Sequence, residues 1–221
     1  MGFTGFGEHA VEFYDGLVVD NSKFYWDDNK AIYQSDVRAP MEALLAELSG
    51  EFATENSRVT VFRPYRDVRF AKDKTPYKTH CGGVIEAGRG AGAYYVEVGP
   101  EGLRVGGGCF RLAADQLTRF RTAVAEDLHG PVLEKIIAKL DRAGWDIKGD
   151  RLATRPRGYD ADHPRIDLLR YRSVYAVRTW PPDDALHERE CLNRVRKAWR
   201  ALRAFNDWAS DHVGVSELPR R

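Results

Sequence analysis

The strongest constraint on the fold lies between residues 59 and 106, where apolar side chains recur at every second position in four runs. These are Val59–Arg63, Gly83–Glu86, Ala93–Val98 and Leu103–Gly106. A period of two marks strands with one buried face. Gly99-Pro100-Glu101-Gly102 supplies the turn between the last two, which predicts an antiparallel hairpin. Because these runs follow one another instead of alternating with helices, the chain is expected to be α+β, with a mainly antiparallel sheet built on a central meander. Parallel, Rossmann-type winding is not expected, on the same ground.

Helical spacing holds on both sides of the block. Phe6, Ala10, Phe13, Tyr14, Leu17 and Val18 mark a first helix ending near Asp20-Asn21, and Ser22 is placed to cap the next. From Trp26 the stripe runs through Tyr33, Val37, Met41, Leu44, Leu45 and Leu48 to Gly50. Pro40 interrupts it, so it is two helices or one kinked helix. Leu117, Phe120, Val124 and Leu128 predict a middle helix, and Leu133, Ile136, Ile137 and Leu140 another between Pro131 and Gly144. Val174–Trp180 reads as a late strand. After Pro181-Pro182 a long helix carries Leu192, Val195, Trp199, Leu202 and Phe205 opposite Arg189, Arg196, Arg200 and Arg203. N-terminal, middle and C-terminal helices thus flank the sheet in a single domain over residues 1–221.

With 221 residues, 43% of them hydrophobic, the chain is long enough to bury a core without staples. Lys and Arg number 34 against 33 Asp and Glu, which excludes a general polycation for nucleic acid or acidic membranes. Cys81, Cys109 and Cys191 are odd in number and outside metal or redox spacings, so a reducing, cytoplasmic setting is expected. No run approaches the 18 apolar residues of a membrane span, and the first residues lack the basic and apolar regions of an export leader. No membrane partner is expected.

Charge balance over the whole chain hides one concentration. Residues 63–80 carry six cations (Arg63, Arg66, Arg69, Lys72, Lys74 and Lys78) and two anions (Asp67 and Asp73). That segment is therefore net +4 in a chain of net +1, leaving −3 for the remainder. Guanidinium forks and ammonium groups beside Tyr65, Phe70 and Tyr77 are suited to a carboxylate or phosphate. Continued as a strand, the segment would put Arg63, Tyr65, Asp67 and Arg69 on one face and Phe62, Pro64, Arg66, Val68 and Phe70 on the other.

The same segment resembles the Arg-x-x-Arg-Asp-x-Arg-Phe-x-x-Asp-Lys-x-Pro-Tyr-Lys motif of domain-of-unknown-function family 2461. Upstream, Phe3-Thr4-Gly5-Phe6, Phe13, Leu17, Asn21, Trp26, Asn29, Lys30, Tyr33, Val37 and Pro40 are similar to that family's start. Downstream, Arg155-Pro156-Arg157-Gly158-Tyr159, His163-Pro164 and Asp167–Arg170 are similar to its second motif. Asp20-Asn21 and Tyr25-Trp26 depart from the family's Asn-Asn and Trp-Phe pairs. The resemblance implies membership over nearly the whole chain and no particular activity.

The candidate ligand site is therefore Arg63, Arg66, Arg69, Lys72, Asp73, Lys74, Tyr77 and Lys78, joined by Arg157 from the second motif. Asp67 and His80 are the candidates for moving a proton. Asp67 is poorly tuned for that work, because flanking arginines lower its proton affinity. Asp160, Asp162 and His163 offer a divalent cation oxygen and nitrogen donors, but an Asp or His before Pro164 is more simply a helix start, with Asp167 in the first turn. Gly88–Gly92 lacks the ending of a P-loop and reads as a hairpin loop. Three functions compete: a small anionic ligand, a module binding nucleic acid or protein, and a structural network of Arg and Asp. Cofactor and oligomeric state are unknown at this stage.

Overall fold

The computed structural model describes residues 2–87 and 92–219. Most of the Gly88–Gly92 loop falls outside the described residues. Four strands, β1 (Ser57–Val61), β2 (Cys81–Ala87), β3 (Ala93–Gly99) and β4 (Gly102–Cys109), form the expected meander. β6 (Val174–Trp180) pairs with β4, and a three-residue strand, β5 (Asp146–Lys148), pairs with β6, so the sheet is antiparallel in the order β1-β2-β3-β4-β6-β5. The fold is α+β.

Register divides the sheet's two faces. Cys81, Gly83 and Ile85 of β2 align with Val98, Val96 and Tyr94 of β3, and these with Leu103, Val105 and Gly107 of β4. This face carries the helices. Side chains of Met41 and Leu45 close over Gly83, and Leu202 closes over Gly107. The helices doing so are α3 (Ala39–Phe52) and α7 (Glu190–His212), with α1 (Ala10–Val19) over β3. Trp199 is fully buried at the centre, its ring against Phe52 and Tyr94 and its indole N–H donating to the Tyr95 carbonyl at 3.0 Å.

Pro40 does not split the helix it interrupts. α2 (Lys23–Ile32) passes through a π-helical stretch, Tyr33–Arg38, directly into α3, and Ala39 N–H donates to the Gln34 carbonyl five residues back. A proline excludes the carbonyl four positions earlier, here that of Asp36, from the helical ladder. That carbonyl instead accepts from Gly7 N–H at 2.9 Å, so the wider turn converts a lost helical bond into a tether for the N-terminal segment. Ser22 caps α2 as expected, its hydroxyl accepting from Tyr25 N–H at 3.1 Å.

Several boundaries differ from expectation, each for a tertiary reason. Phe6 precedes α1, outside any helix, and its N–H donates to the Leu186 carbonyl at 3.0 Å. Gly50 does not end α3, because Phe52, two residues on, is buried against Tyr94 and Trp199. The middle helices are α4 (Ala114–Ala125) and α5 (Gly130–Arg142); Leu128 lies between them and is 74% exposed. Gly144, with φ of +78°, turns the chain out of α5 as predicted.

The largest correction concerns residues 63–70, which are not strand. β1 stops at Val61, and residues 62–80 form a loop folded on itself through one bridge, Tyr65 opposite Tyr77. Arg66 N–H donates to the Pro76 carbonyl and Lys78 N–H to that of Pro64, each at 2.8 Å. Pro64 and Pro76 have no N–H to return, so no ladder can extend. The apolar face expected there does not exist: Phe70 is 97% exposed.

Candidate functional site

The loop is docked by its aromatic end. Tyr77 is buried and stacks on Trp26 at 4.5 Å with an interplanar angle of 8°, and Tyr65 tilts against both rings. Asn21 clamps Tyr77 from the α1–α2 junction, its side-chain amide donating to the Tyr77 carbonyl at 3.1 Å and its oxygen accepting from Tyr77 N–H at 2.9 Å.

Most of the charged signature residues are then engaged with one another. Arg66 donates to Asp73 at 2.5 Å and also to Thr75, while Arg69 binds Asp67 in a fork at 2.9 and 2.7 Å. The Lys74 ammonium donates to the Val68 carbonyl at 2.9 Å. Lys72 and Arg63 are exposed, and Arg157 is exposed in the separate stretch between β5 and α6 (Ile166–Leu169). Asp67 is held below its usual range by the Arg69 guanidinium, which opposes a role as base.

Asp73 is lowered to about 2, first by the Thr75 amide, then by Arg66 and the Thr75 hydroxyl. A depressed folded-state value means that this tether is complete above the ordinary carboxylate range and is lost as pH falls toward 2. We expect the Thr75 amide resonance to shift with a midpoint near pH 2 while core amides stay put. A Thr75 shift centred near 4 instead would show that Asp73 is not so held.

The second motif is built around a buried arginine. Arg165, 6% exposed, donates to the carbonyls of Val124 and Ala125 at 2.7 and 2.8 Å and to Asp127 at 2.6 Å, closing the C-terminal end of α4. Gly130 leaves the room: a Cβ there would stand 2.4 Å from Arg165 Nε. Arg155 donates to the Tyr159 carbonyl and Arg170 to the carbonyls of Leu152 and Ala153. The short helix begins after Arg165, not at Asp162 or His163 as expected; His163 Nδ1 accepts from Arg165 N–H, and Asp167 does lie in the first turn. Among the described residues no three His, Cys, Asp or Glu side chains form a group able to hold a metal ion, and Asp160, Asp162 and His163 form none.

The sheet face opposite the helices provides the site that sequence reasoning missed. Phe62, Tyr95, Phe110 and Tyr175 run across it as a row of rings with centroids 6.3, 5.7 and 4.6 Å apart, the last pair stacked. They line, with Val84 and Val177, a depression of about 460 Å³. Two glycines deepen its floor. A Cβ at Gly82 would strike Tyr95 and Phe62, and one at Gly106 would press on Val177 and Phe110.

Glu97 and Arg104, directly opposite in register, stand at one end, and Lys148 at another part of the rim. Glu97 is 13% exposed; its Oε1 accepts from Arg104 at 2.8 Å, Oε2 accepts from the Tyr95 hydroxyl, and His80 Nε2 lies 3.7 Å from Oε2. Burial, then the charge of Glu97, pushes the Tyr95 phenol well up, so it stays a donor. His80 thus stands beside Glu97, outside the lining of the ring-floored depression and apart from the arginines of the 62–80 loop. Lys78 joins it at the margin, its ammonium 5.3 Å from the Phe62 centroid, and its pKa is lowered by burial and then by Arg63. The missed signal was available: a turn at Gly99–Gly102 forces Glu97 opposite Arg104, and alternation places Tyr95 beside Glu97 on the polar side of β3.

An antiparallel sheet with helices on one face and a ring-lined hollow on the other defines an α+β protein with a built surface depression. Residues 9–208 match the family model described as Conserved hypothetical protein (DUF2461), and the chain belongs to that family. No curated protein matches the sequence. No helix among the described residues is long and apolar enough to cross a membrane.

Proposed function

We propose that the chain binds a small molecule with a planar, apolar body on the bare face of its sheet. The observation that carries this reading is the row of four rings flooring a depression of about 460 Å³, a volume typical of small-ligand sites. The anion expected from residues 63–80 narrows, in this reading, to a carboxylate or phosphate on that body, received by Lys78 or by Lys148 at the rim. Burial, then Arg63, lowers the proton affinity of Lys78, and an anion beside its ammonium opposes both effects. Single-stranded nucleic acid also stacks on such rings, but Glu97 and Asp146 on the same face, and Glu101 at the adjoining turn, repel a phosphate backbone. A reducing, cytoplasmic setting suits three buried thiols, which burial pushes up to about 11 for Cys81 and about 12 for Cys109 and Cys191.

The test titrates 2-naphthol and 2-naphthoate into the protein by calorimetry. Both should bind saturably, and Phe110→Ala or Tyr175→Ala should weaken both about tenfold, the worth of one ring contact. Naphthoate should bind more tightly than naphthol, with that preference lost in a Lys78→Ala, Lys148→Ala double variant. Failure of either compound to saturate would overturn the reading.

A further inference from the structure

A second depression, about 320 Å³, lies immediately beyond the first and shares two walls with it, Glu97 and Arg104. Its other walls are unlike the ring-lined hollow: Thr79, His80, Glu101, Thr179 and the Gly99–Gly102 turn, with Val18 and Pro100 the apolar side chains and no aromatic ring of Phe, Tyr or Trp. The ridge between the two is already satisfied. Arg104 spends Nη1 on Glu97 at 2.8 Å, Nη2 on Glu101 at 2.6 Å and Nε on the Thr179 hydroxyl at 3.1 Å.

We infer that the ligand of the ring-lined depression carries a second, uncharged, hydroxyl-rich arm that crosses the Glu97–Arg104 ridge into this polar hollow, as in an aryl glycoside. An anionic arm would meet two carboxylates there, Glu97 and Glu101, with the one nearby guanidinium already committed to both. A cationic arm would have to displace Arg104 from its carboxylates. Hydroxyl groups both donate and accept, which matches threonine hydroxyls, an imidazole and turn amides and carbonyls, and they leave the ridge intact. The inference rests on the ring-lined depression being the ligand site, and adds to it the chemistry of the ligand's other half.

The matched pair 2-naphthol and 2-naphthyl β-D-glucoside separates the two ideas. Wild type should bind the glucoside at least about tenfold more tightly, the contribution of one or two net hydrogen bonds. A Thr79→Val, His80→Gln variant, and Thr79→Val alone in smaller degree, should bind 2-naphthol as wild type does while losing the glucoside's advantage. If naphthol binds and the glucoside binds no better, or if the double variant keeps the advantage, the arm does not cross the ridge. If naphthol itself does not bind, both the site and the arm are overturned.

Discussion

Trp26→Ala lowers the stability of the protein by about 3–5 kcal/mol, the range for emptying a buried tryptophan site. Trp26 is 2% exposed and sits at the meeting point of Phe13, Tyr33, Tyr65 and Tyr77, with centroids between 4.5 and 5.9 Å. For a chain of this length the melting temperature should fall by about 10 °C. A second effect distinguishes this site from an ordinary core cavity. Because Tyr77 stacks on Trp26 and the rest of the 62–80 loop holds mainly to itself, the variant should expose that loop to trypsin at Lys72 and Lys74 under conditions where wild type is intact. Trp26→Phe should restore most of both properties. Trypsin resistance equal to wild type in the alanine variant would show that the Asn21 clamp alone docks the loop.

Arg165→Met is the other large loss expected, about 3 kcal/mol, because two carbonyls at the end of α4 are left without a donor in a buried place. The methionine keeps the aliphatic stem, so the loss reports hydrogen bonds more than volume. Gly130→Ala should be comparably damaging, since its methyl group claims the space of the Arg165 side chain. The two changes act on one contact, so the double variant should cost much less than their sum in denaturant titrations. Full additivity would mean that they disturb separate interactions.

These two residues show why the fold was more legible than the site. Periodicity reports which side of a strand or helix is buried, and it located the meander, the hairpin turn and the long last helix. It does not report how a loop folds on itself. Arg66, Arg69 and Lys74 read as a ligand cluster because charge density in sequence is blind to pairing in space, where Asp73, Asp67 and a carbonyl already meet them. Strand extension past Val61 failed because alternation was weighed above the two prolines. The bare face was hidden for another reason: Phe62, Phe110 and Tyr175 lie far apart along the chain and become one floor only when the β1–β2 and β2–β3 pairings bring Phe62 to Tyr95 and the β4–β6 pairing brings Tyr175 to Phe110. Tyr95, Glu97 and Arg104 were within reach of the hairpin register, whereas β5, at three residues, carries too little pattern to find.

The carbonyl released by Pro40 has a bearing on the order in which the molecule is assembled. Gly7 takes that carbonyl, and the same N-terminal segment is fastened at Phe6 and Gly7 to Leu186 and His187, about 180 residues later. During synthesis α2 and α3 can form early from local contacts, and Gly7 and His9 can then dock on Asp36, but the Phe6 N–H has no partner until Leu186 has left the ribosome. The segment is thus a latch that the π-helical turn seats early and the far end of the chain closes.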